Sequence, residues 1–157
     1  MTLEQNDRLI LLTNDDGMYA AGLRALTEVM EEFGKVVVVS TQESMSGMSM
    51  ALTLKTPLRV KLLEETDRRR VYTCNGTPTD SLKLAVNQLL ERKPDWVVAG
   101  INHGANASVS VLYSGTMAAT IARCLYGIAS VGFSLSDFST PADFSVCREV
   151  IRTEKRN

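Results

Sequence analysis

Residues 9–39 read LILLTNDDGMYAAGLRALTEVMEEFGKVVVV, and this stretch decides the fold. Leu9–Thr13 is a short apolar run without alternation, the mark of a strand buried on both faces. A turn cluster, Asn14-Asp15-Asp16-Gly17, follows at once. Leu23, Leu26, Val29, Met30 and Phe33 then recur at helical spacing, and Gly34 closes the expected helix. Lys35–Val39 is a second buried run. Strand, helix and strand in this order make a βαβ unit, whose strands are parallel and whose crossover is right-handed.

The alternation continues outward. Residues 40–49 (STQESMSGMS) are polar and serine-rich, a loop. Residues 50–63 and 70–74 read as β structure around a charged hairpin tip, EETDRRR. Pro78 and Asp80 open a helix to about Arg92, with Leu82, Leu84, Ala85, Leu89 and Leu90 facing inward. Pro94 breaks the chain, and Asp95–Gly100 (DWVVAG) is the next buried strand. A Gly/Asn/Ser-rich loop over 101–114, a helix over 115–126, a strand over 128–134 and a last helix over Ala142–Arg152 complete the pattern. With no repeat and no linker, residues 1–157 are expected to form a single domain. The expected class is α/β: a Rossmann-like three-layer sandwich with a mostly parallel sheet, helices on both faces and a β-hairpin extension.

Composition excludes several function classes. The 157 residues carry a net charge of −1, which offers no basic footprint for duplex nucleic acid. Three scattered cysteines (Cys74, Cys124, Cys147) lack metal-ligand spacing and read as small apolar side chains in a reducing compartment. The polar start, MTLEQNDR, has no apolar signal core, and no run is apolar for long enough to span a membrane. The expected location is the cytoplasm.

In parallel α/β sheets, ligands sit beyond the carboxyl ends of the strands, at a topological switch point. Three polar clusters follow strands here: Thr13–Gly17, Ser44–Ser49 with Ser46 and Gly47, and Gly100–Asn106. Parallel strands would bring all three to one edge of the sheet. Two adjacent carboxylates with hydroxyl and amide oxygens make a hard, all-oxygen set, suited to Mg²⁺, Mn²⁺ or Ca²⁺ and wrong for structural zinc. An Asp-Asp-Gly after a strand is equally the sequence of a turn followed by a helix N-cap, and Asn102–Asn106 is equally a glycine-rich connection.

His103, the sole histidine, is either a hydrogen-bonding loop residue or a general acid/base beside the site. It has no evident triad partner, and neither a P-loop nor a GxGxxG is present, which argues against a nicotinamide-type Rossmann domain. Tyr113-Ser114-Gly115-Thr116 leads into the expected helix over 115–126. Its free backbone N–H groups favour an anion, and Ser114 reads equally as an N-cap.

Four segments together resemble the SurE (survival protein E) family of metal-dependent nucleotidases. They are ILLTNDDGMYAAGLRAL at 10–26, SGMSMALTLKTPLRV at 46–60, NGTPTDSLKLA at 75–85 and VVAGINHGANASVSVLYSGTMAA at 97–119. The resemblance runs to about Val150, with the motifs in order and in register. It implies a divalent cation, Mg²⁺ or Mn²⁺ and one per subunit, held by Asp15, Asp16, Ser46 and Asn102, with Ser44 as the alternative loop ligand. It places Asn106, Ser114, Gly115 and Thr116 by the phosphate, and makes Asp15, Asp16 and Asn102 the catalytic group. The implied activity is removal of phosphate from nucleoside monophosphates, 5′ or 3′, with broad specificity, by a homodimer or homotetramer if the missing C-terminal part is not essential to assembly. This chain departs from the family pattern at Ser40-Thr41, where Ala-Pro is usual, and at Met50, where a histidine is usual. The family is also longer than this sequence, which ends in the polar IRTEKRN and so reads as a C-terminally truncated product. The competing expectation is a catalytically impaired metal- or nucleotide-binding domain that acts through oligomer or partner contacts.

Overall fold

The computed structural model describes residues 8–45, 51–104, 126–137 and 139–154. Among these, β1 (Leu9–Thr13), β2 (Lys35–Thr41), β3 (Val60–Glu65), β4 (Arg69–Cys74), β5 (Trp96–His103) and β6 (Ala129–Leu135) form one sheet in the order β3-β4-β2-β1-β5-β6. β1 runs parallel to both β2 and β5, β2 to β4, and β5 to β6. Only β3 is antiparallel, paired with β4 as the expected hairpin. The chain moves from β1 to β2 on one side and returns to place β5 on the other, so the switch point lies at β1.

The helices are α1 (Ala21–Met30), α2 (Pro78–Leu84), which runs on as a π-helical turn over Ala85–Leu89, and α3 (Ser145–Glu154). They bury two distinct cores. Ile10, Leu12, Val36, Val38 and Val98 face α1 and α3, where they meet Leu26, Val29 and Ile151. Leu11, Val37, Val39, Val97 and Ala99 face the other way, onto Leu82 of α2 and Ala85 of the π-helical turn. Strands buried on both sides therefore need apolar side chains at every position, which is why LILL and VVVV carry no alternation. The result is the three-layer α/β, Rossmann-like arrangement. None of the helices among the described residues is long and apolar enough to cross a membrane.

Several boundaries differ from the sequence reading. α1 ends at Met30 and not at Gly34; Phe33 is still buried, but in a turn. Gly34 is required for close approach, since a Cβ there would lie 2.5 Å from the Arg8 carbonyl oxygen. Residues 51–59 carry no strand, and the hairpin tip shrinks to Thr66–Arg68 because Glu64, Glu65, Arg69 and Arg70 join the ladder. β2 runs on to Thr41, and the third helix starts at Ser145. Of the expected helix over 115–126 only Tyr126 is described.

The most consequential difference is in β5, which continues through His103 where a loop was expected from residue 101. Gly100 is not a strand terminator but the centre of a bulge. Its φ is +124°, and the register with β6 shifts between Ala99 and Asn102. Strict alternation would send Ile101 to the α2 face with Val97 and Ala99; instead it packs in the α1 core. The bulge thus reverses the facing of every later residue in the strand, Asn102 included. On the other side, Gly22 of α1 sits against the same segment: a Cβ there would lie 1.9 Å from the Ile101 carbonyl oxygen.

Gly22→Ala sets two effects against each other. Alanine favours a helix interior by about 1 kcal/mol over glycine, whereas forcing a methyl into backbone displaces structure at about 1–3 kcal/mol. With so short an approach to a carbonyl oxygen the clash prevails, and a lower urea midpoint is expected. An equal or higher midpoint would contradict this packing.

Candidate active site

The carboxyl ends of β1, β2, β4 and β5 open on one rim of the sheet, because these strands are mutually parallel. β1 delivers Asn14-Asp15-Asp16-Gly17. The turn is closed locally: the Asn14 side-chain amide donates to the Gly17 carbonyl at 2.9 Å, and Gly17 takes φ +96°. A Cβ at Gly17 would lie 3.1 Å from the Glu43 backbone, so glycine lets the segment after β2 pack on the turn. Helix α1 starts only at Ala21, with Ala20 as its N-cap. The cluster is therefore a turn, as one reading of the sequence held, but neither aspartate occupies the cap position.

Asn14 is buried, and its side-chain oxygen accepts a short hydrogen bond from the Ser40 hydroxyl. Thr41 donates its hydroxyl to the Glu43 carbonyl at 2.7 Å, and its own carbonyl accepts from the Met18 N–H at 2.9 Å. Ser40 and Thr41, the departure from the family pattern, thus build the wall on which the aspartate turn rests.

The polar clusters of β1 and β5 meet. The His103 backbone N–H donates to Asp16 Oδ2 at 3.2 Å, which brings Asp16 against the end of β5 at the residue after Asn102. The Met45 N–H donates to the Asp15 carbonyl at 2.8 Å and brings in the segment after β2. Asp15 is buried at 4% exposure and Asp16 is half-buried. Asn102 spends its amide N–H on the Gly104 carbonyl at 3.2 Å, so the group it can offer a cation is its side-chain oxygen. The His103 ring lies edge-on to Phe144, with centroids 6.4 Å apart, and it is the backbone of His103 that contacts Asp16.

These donors fit a hard divalent cation. Two neighbouring carboxylates, one of them buried, are stabilised by a cation, and the third donor is an amide oxygen. Among the described residues no cluster of three or more His, Cys, Asp or Glu is placed to bind a metal. Ser44 is described and exposed. Ser46, Asn106, Ser114, Gly115 and Thr116 lie outside the described residues.

One group at this rim was not singled out as functional from sequence. β4 is followed by Asn75-Gly76-Thr77-Pro78-Thr79-Asp80, where Thr77 caps α2 and forms a reciprocal capping box with Asp80. Asp80 is 3% exposed and also accepts from the Thr53 N–H at 3.1 Å. Burial alone would push its carboxyl up, but hydrogen bonds from Thr53 and Thr77 outweigh that and hold it below its ordinary value. The signal was present as T-x-x-D ahead of an apolar run.

The family model described as Survival protein SurE matches residues 10–155. The chain belongs to the SurE family. It is 46% identical over 151 residues to the "5'-nucleotidase SurE" of Christiangramia forsetii, covering 95% of this chain and 58% of that one. It is 48% identical over 145 residues to the "5'-nucleotidase SurE" of Flavobacterium johnsoniae, covering 92% of this chain and 56% of that one. The crystal structure of the SurE protein of Aquifex aeolicus superposes with a TM-score of 0.72 at 33% identity, covering 92% of this chain and 59% of that one. The chain thus spans a little over half the length of the SurE proteins it matches.

The depressed Asp80 carboxyl makes a signed prediction. Its stabilising contribution is present above the unfolded value of about 3.9 and is lost as pH falls through the lower folded value. Asp80→Asn is expected to be less stable than the parent by about 1–3 kcal/mol near neutral pH, and urea titrations should show the gap shrinking below about pH 4. A gap that grows on acidification would contradict the assignment.

Proposed function

We propose that this chain is a divalent-cation-dependent phosphomonoesterase that hydrolyses nucleoside 5′-monophosphates, and 3′-monophosphates as a secondary activity, to nucleoside and phosphate. The observation that carries the reading is the hydrogen bond from the His103 N–H to Asp16, which joins the end of β5, next to Asn102, to the aspartate turn at the switch point of the sheet. Membership of a family whose matched relatives are named 5′-nucleotidases supports it.

In this reading Asp15, Asp16, Ser46 and Asn102 hold one Mg²⁺ or Mn²⁺ per subunit, and Asn106, Ser114, Gly115 and Thr116 hold the phosphate. The cation would supply Lewis-acid polarisation of a phosphoryl oxygen and raise the acidity of a nearby water. The protein's own part is orientation and proton transfer. Asp15, the more buried acid, orients the water at its carboxylate and takes its proton as the water oxygen attacks phosphorus. The ester P–O bond breaks, and the nucleoside leaves on its hydroxyl oxygen, which takes up the proton that Asp15 removed from the water. Backbone N–H groups of Gly115 and Thr116 balance the charge on the phosphoryl oxygens. Asp16, held by the His103 N–H, would share the cation with Asn102. The working unit we propose is a single-domain cytoplasmic subunit of a homodimer or homotetramer.

Phosphate release from AMP with Mn²⁺ or Mg²⁺ tests the proposal. Turnover that EDTA stops and added metal restores is expected. Asp15→Asn should lower kcat by about 10²–10⁴-fold while the circular dichroism spectrum stays that of the parent. Activity that ignores EDTA, or survives Asp15→Asn undiminished, would refute the mechanism. Metal and nucleotide binding without turnover would favour a binding domain instead.

A further inference from the structure

The two edges of the sheet are built differently. β3, the outer strand on one side, reads VKLLEE and carries Lys61, Glu64 and Glu65. Charges along an edge strand keep other strands from pairing with it. β6, the outer strand on the other side, reads ASVGFSL, with neither a charge nor a proline in its 7 residues. One side of β6 pairs with β5, and among the described residues no strand pairs with the other. That free side offers its backbone N–H and C=O groups to an added strand.

Apolar surface continues from this edge onto α3. Val131 of β6 is 45% exposed, and Val146 and Val150, on the same face of α3, are 62% and 46% exposed. Val131 and Val150 line a groove of about 620 Å³ together with Phe33, Trp96 and Phe133. Charges stand only at the ends of the strand, and their signs differ. Ahead of β6, the Lys93 ammonium donates to the Gly127 carbonyl at 3.3 Å. Beyond β6 comes Asp137, which accepts from Ser139, with Asp143 close enough to feel its charge.

We propose that β6 and the groove beside it dock a second copy of this chain, β6 pairing antiparallel with β6 of that copy about a two-fold axis at Gly132. This rests on the homo-oligomer reading above and not on the metal site. Gly127 and Asp137 are equidistant from Gly132 in sequence, so the antiparallel register sets the Lys93 end of each strand against the Asp137 end of the other. Parallel pairing sets like charges together at both ends. A two-fold axis normal to the sheet keeps α3 of both copies on one face, where their exposed valines meet across the join and cover the two grooves.

Sedimentation equilibrium of the full chain at low ionic strength tests this. The parent should be a dimer at micromolar concentration. Val131→Lys, which charges the edge, should raise the dimer dissociation constant by about tenfold or more while the circular dichroism spectrum stays that of the parent. Lys93→Glu and Asp137→Lys should each raise it by about two- to fivefold, and the double variant should return it towards the parent's value. Effects that add in the double variant overturn the proposed pairing. A dimer indifferent to Val131→Lys associates through another face, which overturns this surface and leaves the homo-oligomer reading standing. A parent that is monomeric at every concentration overturns both; ANS fluorescence that Val131→Lys abolishes would then assign the groove to an apolar ligand. Should Val131→Lys fail to fold, amide exchange in the parent decides: protection of β6 that falls on dilution supports the proposal, and protection independent of concentration overturns it. Failure of AMP turnover touches the nucleotidase reading alone, because the quantity read here is mass.

Discussion

The hydrogen bond from the His103 N–H to the Asp16 carboxylate ties the end of β5 to the end of β1, across 87 residues of sequence. It can form only if β1 and β5 are neighbours, run the same way and end level. Neighbourhood and direction follow from the crossover that places β5 beside β1 on the side away from β2. Ending level depends on the bulge at Gly100, which adds length to β5 and turns Asn102. Gly22 serves the same end from the helix side, because α1 can approach the bulged strand only where no side chain intervenes.

Electrostatics explains why such a rim calls for a ligand. Like charges close together near a protein surface repel, and a divalent cation bound between neighbouring carboxylates offsets that repulsion. The wall behind the acids is built for rigidity. Ser40, Asn14 and Gly17 satisfy one another in a buried chain of hydrogen bonds, so the turn has a single arrangement.

Much of the fold was legible because both strand faces are buried. LILLT and KVVVV leave little choice but central parallel strands, and the spacing of Leu23, Leu26, Val29 and Met30 fixes the helix between them. The errors have physical causes. Gly100 reads as a stop in sequence, but a positive-φ glycine serves equally as a bulge, and only the partner strand β6 decides between them. Residues 51–59 look like a strand by composition, yet among the described residues no strand pairs with them; their hydrogen bonds go to Asn75, Thr77 and Asp80. At the site, residue types were readable and partners were not. Asp15 and Asp16 stand out as neighbouring acids after a strand, but that a backbone N–H of residue 103 would reach Asp16 is a property of register. The T-x-x-D capping box was visible as a helix start, while its second duty toward Thr53 was hidden by 27 residues of sequence separation.

The central claim is that Asp15, Asp16 and Asn102 share one cation. Anomalous diffraction from Mn²⁺-soaked crystals, recorded at a wavelength where manganese scatters strongly, tests it most directly. The account predicts one strong peak per subunit with oxygen atoms of all three side chains within about 2.0–2.6 Å of it. A peak at another place on the molecule, or none at saturating Mn²⁺, would contradict it.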